Sequence, residues 1–235
     1  MSTFVLIHGS GNGGWCWEKV APLLTQAGHE VIAPDLPGHG DDKTPVGEVS
    51  LQSCVERVVK ILDTQSEPVI LVGHSTGGLT ITQTAEQRPS MVRVLIYLSA
   101  FLLQNGERCV DVNDPESLAR GNLVTPKDKG NERAKDVFYN DCSDEDIARA
   151  QSLLVPAPLQ IAFTPVATSE DNFGRVPRYY IECLRDRAIT HSCQRRMYSA
   201  IPCERVFTLD TSHSPFLSAP QALVDHLLAI SLTNQ

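Results

Sequence analysis

The feature that most restricts the fold of this chain is a regular alternation of short apolar runs with segments of helical periodicity. Residues 68–73 read PVILVG, and such an unbroken apolar run is typical of a strand covered on both faces of a parallel sheet. Because parallel neighbours need crossover connections, the alternation predicts a parallel sheet with helices on both faces. The predicted strands are residues 4–8, 29–34, 68–73, 92–98, 177–184 and 205–209, and the predicted helices are residues 17–27, 51–64, 77–86, 190–200 and 219–232.

The alternation stops over residues 104–176, where no strand-like run is followed by a helical pattern. Short helical pieces at residues 131–139 and 143–153 are joined there by segments rich in Asp and Pro. We therefore predict an inserted cap subdomain at residues 104–176, and a core domain formed by residues 1–103 and 177–235.

The composition is that of a folded, modestly acidic domain. Of the 235 residues, 42% are hydrophobic and 20% are charged, and the formal net charge is −8. Nucleic-acid binding calls for clustered Lys and Arg, which this composition does not favour. Nothing approaches the roughly 20 apolar residues of a membrane helix, and the apolar run at residues 4–7 lacks the basic leader of a signal peptide. We expect a cytoplasmic protein that binds neither nucleic acid nor membrane; a homodimer stays open.

The cysteines are scattered and include no CxxC pair, so neither a zinc site nor a redox pair is predicted. In a cytoplasmic protein they are expected to be free thiols that pack as small hydrophobic side chains. We predict no metal and no organic cofactor. The seven cysteines are Cys16, Cys54, Cys109, Cys142, Cys183, Cys193 and Cys203.

A nucleophile motif lies between the third predicted strand and the helix that follows it. Residues 73–77 read GHSTG and match the pattern GxSxG. This pattern is specific when a strand precedes it and a helix follows, because the serine must occupy a strained turn in which bulky neighbours would clash. Both conditions hold here, so Ser75 is the predicted nucleophile.

A serine hydroxyl needs a general base, and in this arrangement the acid and the histidine follow the serine in that order. Of the seven histidines, His213 alone lies in a loop directly after a predicted strand and before a helix. Asp186 follows the preceding strand, in Arg185-Asp186-Arg187, and is the predicted orienting acid. Asp210 is the rival, but it lies only three residues before His213 and is better explained as a turn residue.

Two backbone N–H groups are expected to form an oxyanion hole. We assign one to Thr76, directly after the nucleophile, and the other to Ser10 in the glycine-rich loop after the first strand. The same loop permits an alternative from another class, because Gly9, Gly11 and Gly14 fit GxGxxG. That spacing is also found in nicotinamide dinucleotide-binding domains, so an oxidoreductase remains an alternative, as does a ligand receptor without catalytic activity.

These motifs together resemble a known family. The segments HGSGNGGWCW, GHSTGG, RDR and HSPF are similar to those of small α/β-hydrolases, in the branch that contains plant methyl esterases, hydroxynitrile lyases and bacterial esterases. The resemblance covers nearly the whole chain. It implies an α/β-hydrolase fold with a mostly parallel six-stranded sheet, a cap inserted after the strand that ends near Leu98, and backbone oxyanion donors at Ser10 and Thr76.

Two departures distinguish the branches of this family. The lyases carry a threonine directly after the first-strand histidine and a lysine directly after the catalytic histidine, whereas this chain has Gly9 and Ser214 there. The resemblance therefore implies a serine esterase acting on small carboxylic esters, with methyl esters and carbamates both compatible and cyanohydrin cleavage as the alternative. Apolar side chains are the candidate pocket walls, namely Phe101, Phe138, Tyr139, Leu153 and Phe163.

Overall fold

The computed structural model describes residues 1–112 and 131–233. Six strands form one sheet in the order β2-β1-β3-β4-β5-β6, and every neighbouring pair is parallel. The predicted α/β fold with a six-stranded parallel sheet is therefore confirmed. The strands are β1 (Thr3–Ile7), β2 (Glu30–Ile32), β3 (Val69–His74), β4 (Val92–Leu98), β5 (Arg178–Cys183) and β6 (Arg205–Leu209).

Helices cover both faces of this sheet. Side chains alternate along each strand, so Phe4 and Leu6 of β1 enter one core while Val5 and Ile7 enter the other. The helices in the described ranges are α1 (Ala21–Gln26), α2 (Leu51–Leu62), α3 (Gly77–Gln87), α4 (Cys109–Val112), α5 (Asn131–Phe138), α6 (Asp144–Leu153), α7 (Gln160–Phe163), α8 (His191–Ala200), α9 (Pro215–Ser218) and α10 (Pro220–Thr233). Residues of α2 and α3 pack in the core with Val5, and those of α1 and α10 in the core with Phe4.

One predicted helix is divided in the structure. Residues 17–27 were expected to form a single helix, but a 3-10 helix spans Gly14–Trp17 and α1 begins only at Ala21. Pro22 explains the break, because it has no N–H to donate to Glu18, as a continuous helix would require. Pro22 instead lies in the first turn of α1, where the missing donor costs nothing.

The segment between β4 and β5 contains α4, α5, α6 and α7. Its two ends meet, because the N–H of Gly106 donates to the Val166 carbonyl at 2.8 Å and the N–H of Val166 donates to the Glu107 carbonyl at 3.0 Å. The chain therefore leaves the sheet and returns to it at neighbouring points. Its exact boundaries as a cap stay a prediction.

The returning end of this segment is attached to α3 by the Glu86 carboxylate. Glu86 accepts hydrogen bonds from the N–H groups of Ser169 at 2.9 Å and Phe173 at 3.1 Å, from the Ser169 hydroxyl at 2.7 Å and from the Asn172 amide at 3.0 Å. Partial burial opposes ionisation, but the hydrogen bonds from Asn172 and Ser169 outweigh it and lower the pKa of Glu86. Ionised Glu86 thus holds the insertion against the helix that begins at the nucleophile motif.

In the parts of the chain that the structure describes, every helix is too short or too polar to cross a membrane.

Candidate active site

Ser75 lies in a strained turn between β3 and α3, with a φ of 53°. A residue other than glycine rarely adopts this left-handed backbone conformation. The flanking glycines are needed, because a Cβ on Gly73 would lie 2.8 Å from the Gly77 carbonyl oxygen and one on Gly77 would lie 2.7 Å from the His8 carbonyl oxygen. The turn raises the serine above the carboxyl end of the sheet, as the nucleophile of a GxSxG motif requires.

The structure brings Asp186 and His213 together from the ends of β5 and β6. Oδ2 of Asp186 lies 2.7 Å from Nδ1 of His213, and both side chains are almost completely buried. Nδ1–H of His213 donates in this pair, which leaves Nε2 free of a proton in the neutral ring. Such a ring can act as a general base. Asp210, the rival acid, has a side chain that is 76% exposed and lies 3.0 Å from Arg185.

Both oxygens of Asp186 are saturated with donors. Oδ1 accepts the N–H groups of Ala188 at 2.7 Å and Ile189 at 2.9 Å. Oδ2 accepts a short hydrogen bond from the Ser99 hydroxyl, in addition to the one from His213. Donors on both oxygens fix the orientation of this buried carboxylate, so Asp186 is held in place beside the imidazole.

His213 is also positioned from the elbow side. Nε2–H of His74 donates to the His213 carbonyl at 2.8 Å, and the two rings lie 4.6 Å apart. Burial, followed by the neighbouring His213, keeps the pKa of His74 well below its usual value, so His74 remains a neutral donor. The motif that carries Ser75 is thus directly bonded to the loop that carries His213.

Ser10 and Thr76, the predicted oxyanion residues, line one small cavity together with His8 and Gly9. Thr76 occupies the N-cap of α3, where backbone N–H groups have no partner within the helix. His8 anchors the loop, because its Nε2 accepts the Leu36 N–H at 3.1 Å. Burial, followed by the neighbouring His39, lowers the pKa of His8 to about 3, so the ring stays neutral. The placement suits an oxyanion hole, although the role of both residues stays a prediction.

The GxGxxG spacing has a structural explanation in this loop. The N–H of Gly14 donates to Asp35 at 2.7 Å, and the second oxygen of Asp35 accepts the N–H of Asp41 at 2.9 Å. The loop continues into a four-residue 3-10 helix, whereas a dinucleotide fingerprint opens a long helix whose N-terminus holds the pyrophosphate. This geometry does not favour the nicotinamide alternative.

The five predicted pocket residues occupy different environments. Phe101 donates its N–H to the Ser75 carbonyl at 3.0 Å, and the Phe138 ring lies 5.6 Å from the His213 ring. Tyr139 is buried in the core that contains Trp17, and Leu153 is half-buried at the end of α6. Phe163 is 52% exposed, more than the wall of an enclosed pocket would be. Phe101 and Phe138 are therefore the two with contacts to the predicted catalytic residues, and the pocket as a whole stays a prediction.

Sequence reasoning missed several residues that support the site. Ser99 follows β4 directly and has a φ of 41°, and its position at the carboxyl end of a strand could have identified it. Gln194 of α8, whose amide donates to Oδ2 of Asp186 at 3.5 Å, and Asp141 of the insertion could not have been found in this way, because neither residue directly follows a strand. Asp141 accepts hydrogen bonds from Ser212, the neighbour of His213.

This sheet order, with a strained serine between β3 and α3 and an acid and a histidine after later strands, defines the α/β-hydrolase class. The chain belongs to the alpha/beta hydrolase family, whose family model matches residues 4–226. The predicted family resemblance is therefore confirmed.

Named relatives lie in the esterase part of this family. The chain is 35% identical to putative methylesterase 11, chloroplastic, of Arabidopsis thaliana, over 97% of this chain and 63% of that relative. It is 32% identical to methylesterase 1 of Arabidopsis thaliana, over 97% and 95% of the two chains. A crystal structure of a pyrethroid hydrolase from Sphingobium faniae JZ-2 superposes with a TM-score of 0.87 at 30% identity, covering 98% of this chain and 97% of the other. The chain thus spans less than two thirds of the length of putative methylesterase 11.

Proposed function

We propose that this protein is a serine esterase that hydrolyses small carboxylic esters through an acyl-enzyme. The observation that carries the proposal is the buried Asp186–His213 pair, 2.7 Å between Oδ2 and Nδ1, bonded through His74 to the strained turn of Ser75. The relatives named above are called methylesterases and a pyrethroid hydrolase, which supports ester cleavage.

The proposed reaction has two stages. Ser75 Oγ attacks the ester carbonyl while Nε2 of His213 removes its proton, and Asp186 holds the imidazolium that forms. The N–H groups of Ser10 and Thr76 stabilise the oxyanion. His213 then gives the proton to the leaving alkoxide, and a water molecule, activated by the same ring, releases the acid from Ser75.

Two positions favour an esterase over a cyanohydrin lyase. A Cβ on Gly9 would lie only 2.7 Å from Cβ of Ser75, so this backbone has no room for the threonine of the lyases. Ser214 is neutral and buried, and Arg185 and Arg187 are paired with Asp210 and Asp136. A departing cyanide anion benefits from a fixed cation, whereas an alkoxide leaving group can take its proton from His213.

The substrate class follows from the relatives and from this chemistry. We propose small esters with a small alcohol group, methyl esters first, with carbamates as a second class that the same residues could attack. We also propose that the protein acts in the cytoplasm, because all seven cysteines are free, as is usual in a reducing compartment.

A turnover screen tests the proposal. Methyl esters, p-nitrophenyl esters, carbamates and mandelonitrile should be compared on one preparation, with Ser75→Ala as the control. We expect ester turnover that falls by about 10⁶-fold in Ser75→Ala, with the fold retained by circular dichroism. Cyanide release without ester turnover, or Ser75→Ala activity within about tenfold of the parent, would contradict the esterase.

A further inference from the structure

Asp141 lies in the turn between α5 and α6 of the insertion, and its side chain is only 9% exposed. Its Oδ2 accepts the backbone N–H of Ser212 at 2.8 Å, and its Oδ1 accepts a short hydrogen bond from the Ser212 hydroxyl. One carboxylate therefore binds both donors of the residue that directly precedes His213. Ser212 itself is fully buried.

The loop that carries His213 needs such an anchor. It runs from the end of β6 at Leu209 to the start of α9 at Pro215, outside any ladder that would satisfy its backbone groups. A buried N–H or hydroxyl without a partner is costly, so the two bonds to Asp141 fix the conformation of Ser212. Because His213 is the next residue, these bonds also fix the backbone position from which its imidazole extends.

The same stretch of the insertion contacts the His213 ring and the residue next to Asp186. The Phe138 ring packs edge-on against the His213 ring at 5.6 Å. The Asn140 amide donates to the Arg185 carbonyl at 3.3 Å, next to Asp186. The guanidinium of Arg185 lies 3.4 Å from Asp141. Residues 138–142 therefore contact both the loop that carries His213 and the loop that carries Asp186.

We propose that Asp141 is a positioning residue, which acts through Ser212 to hold His213 in its reactive orientation and so makes general-base catalysis depend on the seating of the insertion. Both of its oxygens are engaged by Ser212, so it does not replace Asp186 as the partner of the imidazole. The inference rests on the proposed serine-esterase function.

Asp141→Asn is the central test, because an amide keeps the shape but can accept at only one of the two positions and presents N–H groups at the other. A base displaced by about 1 Å costs on the order of 10²-fold in rate. We expect kcat for p-nitrophenyl acetate to fall by about that factor, with KM within about threefold of the parent, since Asp141 binds no substrate.

Asp136→Asn is the matched control. Asp136 lies in the same segment, but its carboxylate is exposed and pairs with Arg187 and not with Ser212. We therefore expect the kcat of this variant to equal that of the parent. Ser212→Ala removes one of the two bonds while leaving Asp141 in place, and we expect a smaller loss of kcat. The double variant Asp141→Asn/Ser212→Ala should lose less than the product of the two single losses, because both single changes break one interaction.

A second measurement separates this proposal from the esterase proposal. The rate at which a fluorophosphonate labels Ser75 depends on His213 but not on the natural substrate, and should fall in Asp141→Asn in parallel with kcat. If the parent is labelled but hydrolyses no ester, the proposed substrate class is wrong and the labelling rates still test Asp141. The inference would be overturned if folded Asp141→Asn kept a labelling rate and a kcat within about twofold of the parent. If Asp141→Asn does not fold, the same criterion applies to Ser212→Ala.

Discussion

Each oxygen of Asp186 has its own set of donors, and this makes the carboxylate hard to replace. Oδ1 faces two backbone N–H groups, from Ala188 and Ile189, whereas Oδ2 faces His213 and Ser99. An amide has only one oxygen. Two backbone donors cannot rotate away, so an Asn at this position must turn its NH₂ group towards His213.

Asp186→Asn should therefore leave a folded enzyme with the wrong imidazole tautomer. The ring would accept at Nδ1 and carry its proton on Nε2, where it cannot take the proton of Ser75. We expect kcat for ester hydrolysis to fall by about 10⁴-fold, measured by steady-state kinetics beside a thermal melt.

Asp210→Asn is the control for this prediction. Its carboxylate is largely exposed and pairs with Arg185, so its loss should change kcat little. If Asp210→Asn were the slow variant and Asp186→Asn the active one, the assignment of the acid would be wrong.

At the scale of single residues, the sequence predicts which side chains lie together where chemistry and chain position coincide, and their catalytic roles stay predictions. Ser75, Asp186 and His213 each follow a strand that the apolar pattern predicts, so the carboxyl edge of the sheet collects them. Asp141 and Gln194 do not directly follow a predicted strand. Their contacts depend on how the insertion and α8 fold back over the sheet, and this is not encoded in a local pattern.

At the scale of secondary structure, α3 links the turn that carries Ser75 to the attachment of the insertion. Ser75 lies just before its first turn, and Glu86 near its last turn holds residues 169–173 by four hydrogen bonds. The periodicity of the sequence predicts this helix to within a residue. It does not predict the attachment, because the partners of Glu86 lie more than eighty residues away.

Glu86→Gln should loosen the return of the insertion. A glutamine oxygen can accept from part of this set only, and its NH₂ would face the remaining donors. We expect the free energy of unfolding to fall by about 1–3 kcal/mol, measured by urea denaturation. Glu67→Gln, at an exposed position, should be neutral, and equal stability of the two variants would contradict the role of Glu86.

At the scale of the whole molecule, three buried histidines make stability depend on pH. Burial is the first cause that lowers the pKa of His8, His39 and His74 below the usual value. Their rings charge near pH 6.5 in the unfolded chain but only at lower pH in the folded protein. The unfolded state therefore binds more protons below about pH 6.5, and stability is lost as the pH falls through this range.

We expect the free energy of unfolding to decrease between about pH 7 and pH 5.5, above the range where most carboxylates titrate. Each histidine can contribute a slope of up to about 1.4 kcal/mol per pH unit, and for His8 the loss continues to about pH 3. Urea denaturation at several pH values measures the slope. His39→Gln should make it shallower, and a flat profile in the parent protein would show that these rings can be charged in the fold.

The pairing of Gly106 with Val166 has a consequence for how such a protein can change over evolutionary time. An insertion that leaves and returns at neighbouring points can be lengthened, shortened or exchanged without rearranging the sheet, so we expect the insertion and the part of the fold that carries Ser75 and His213 to vary separately. Residues 138–142 limit that freedom. An exchanged module must bring its own anchor for the histidine loop, and chimaeras that keep a carboxylate at position 141 are the ones we expect to remain enzymes.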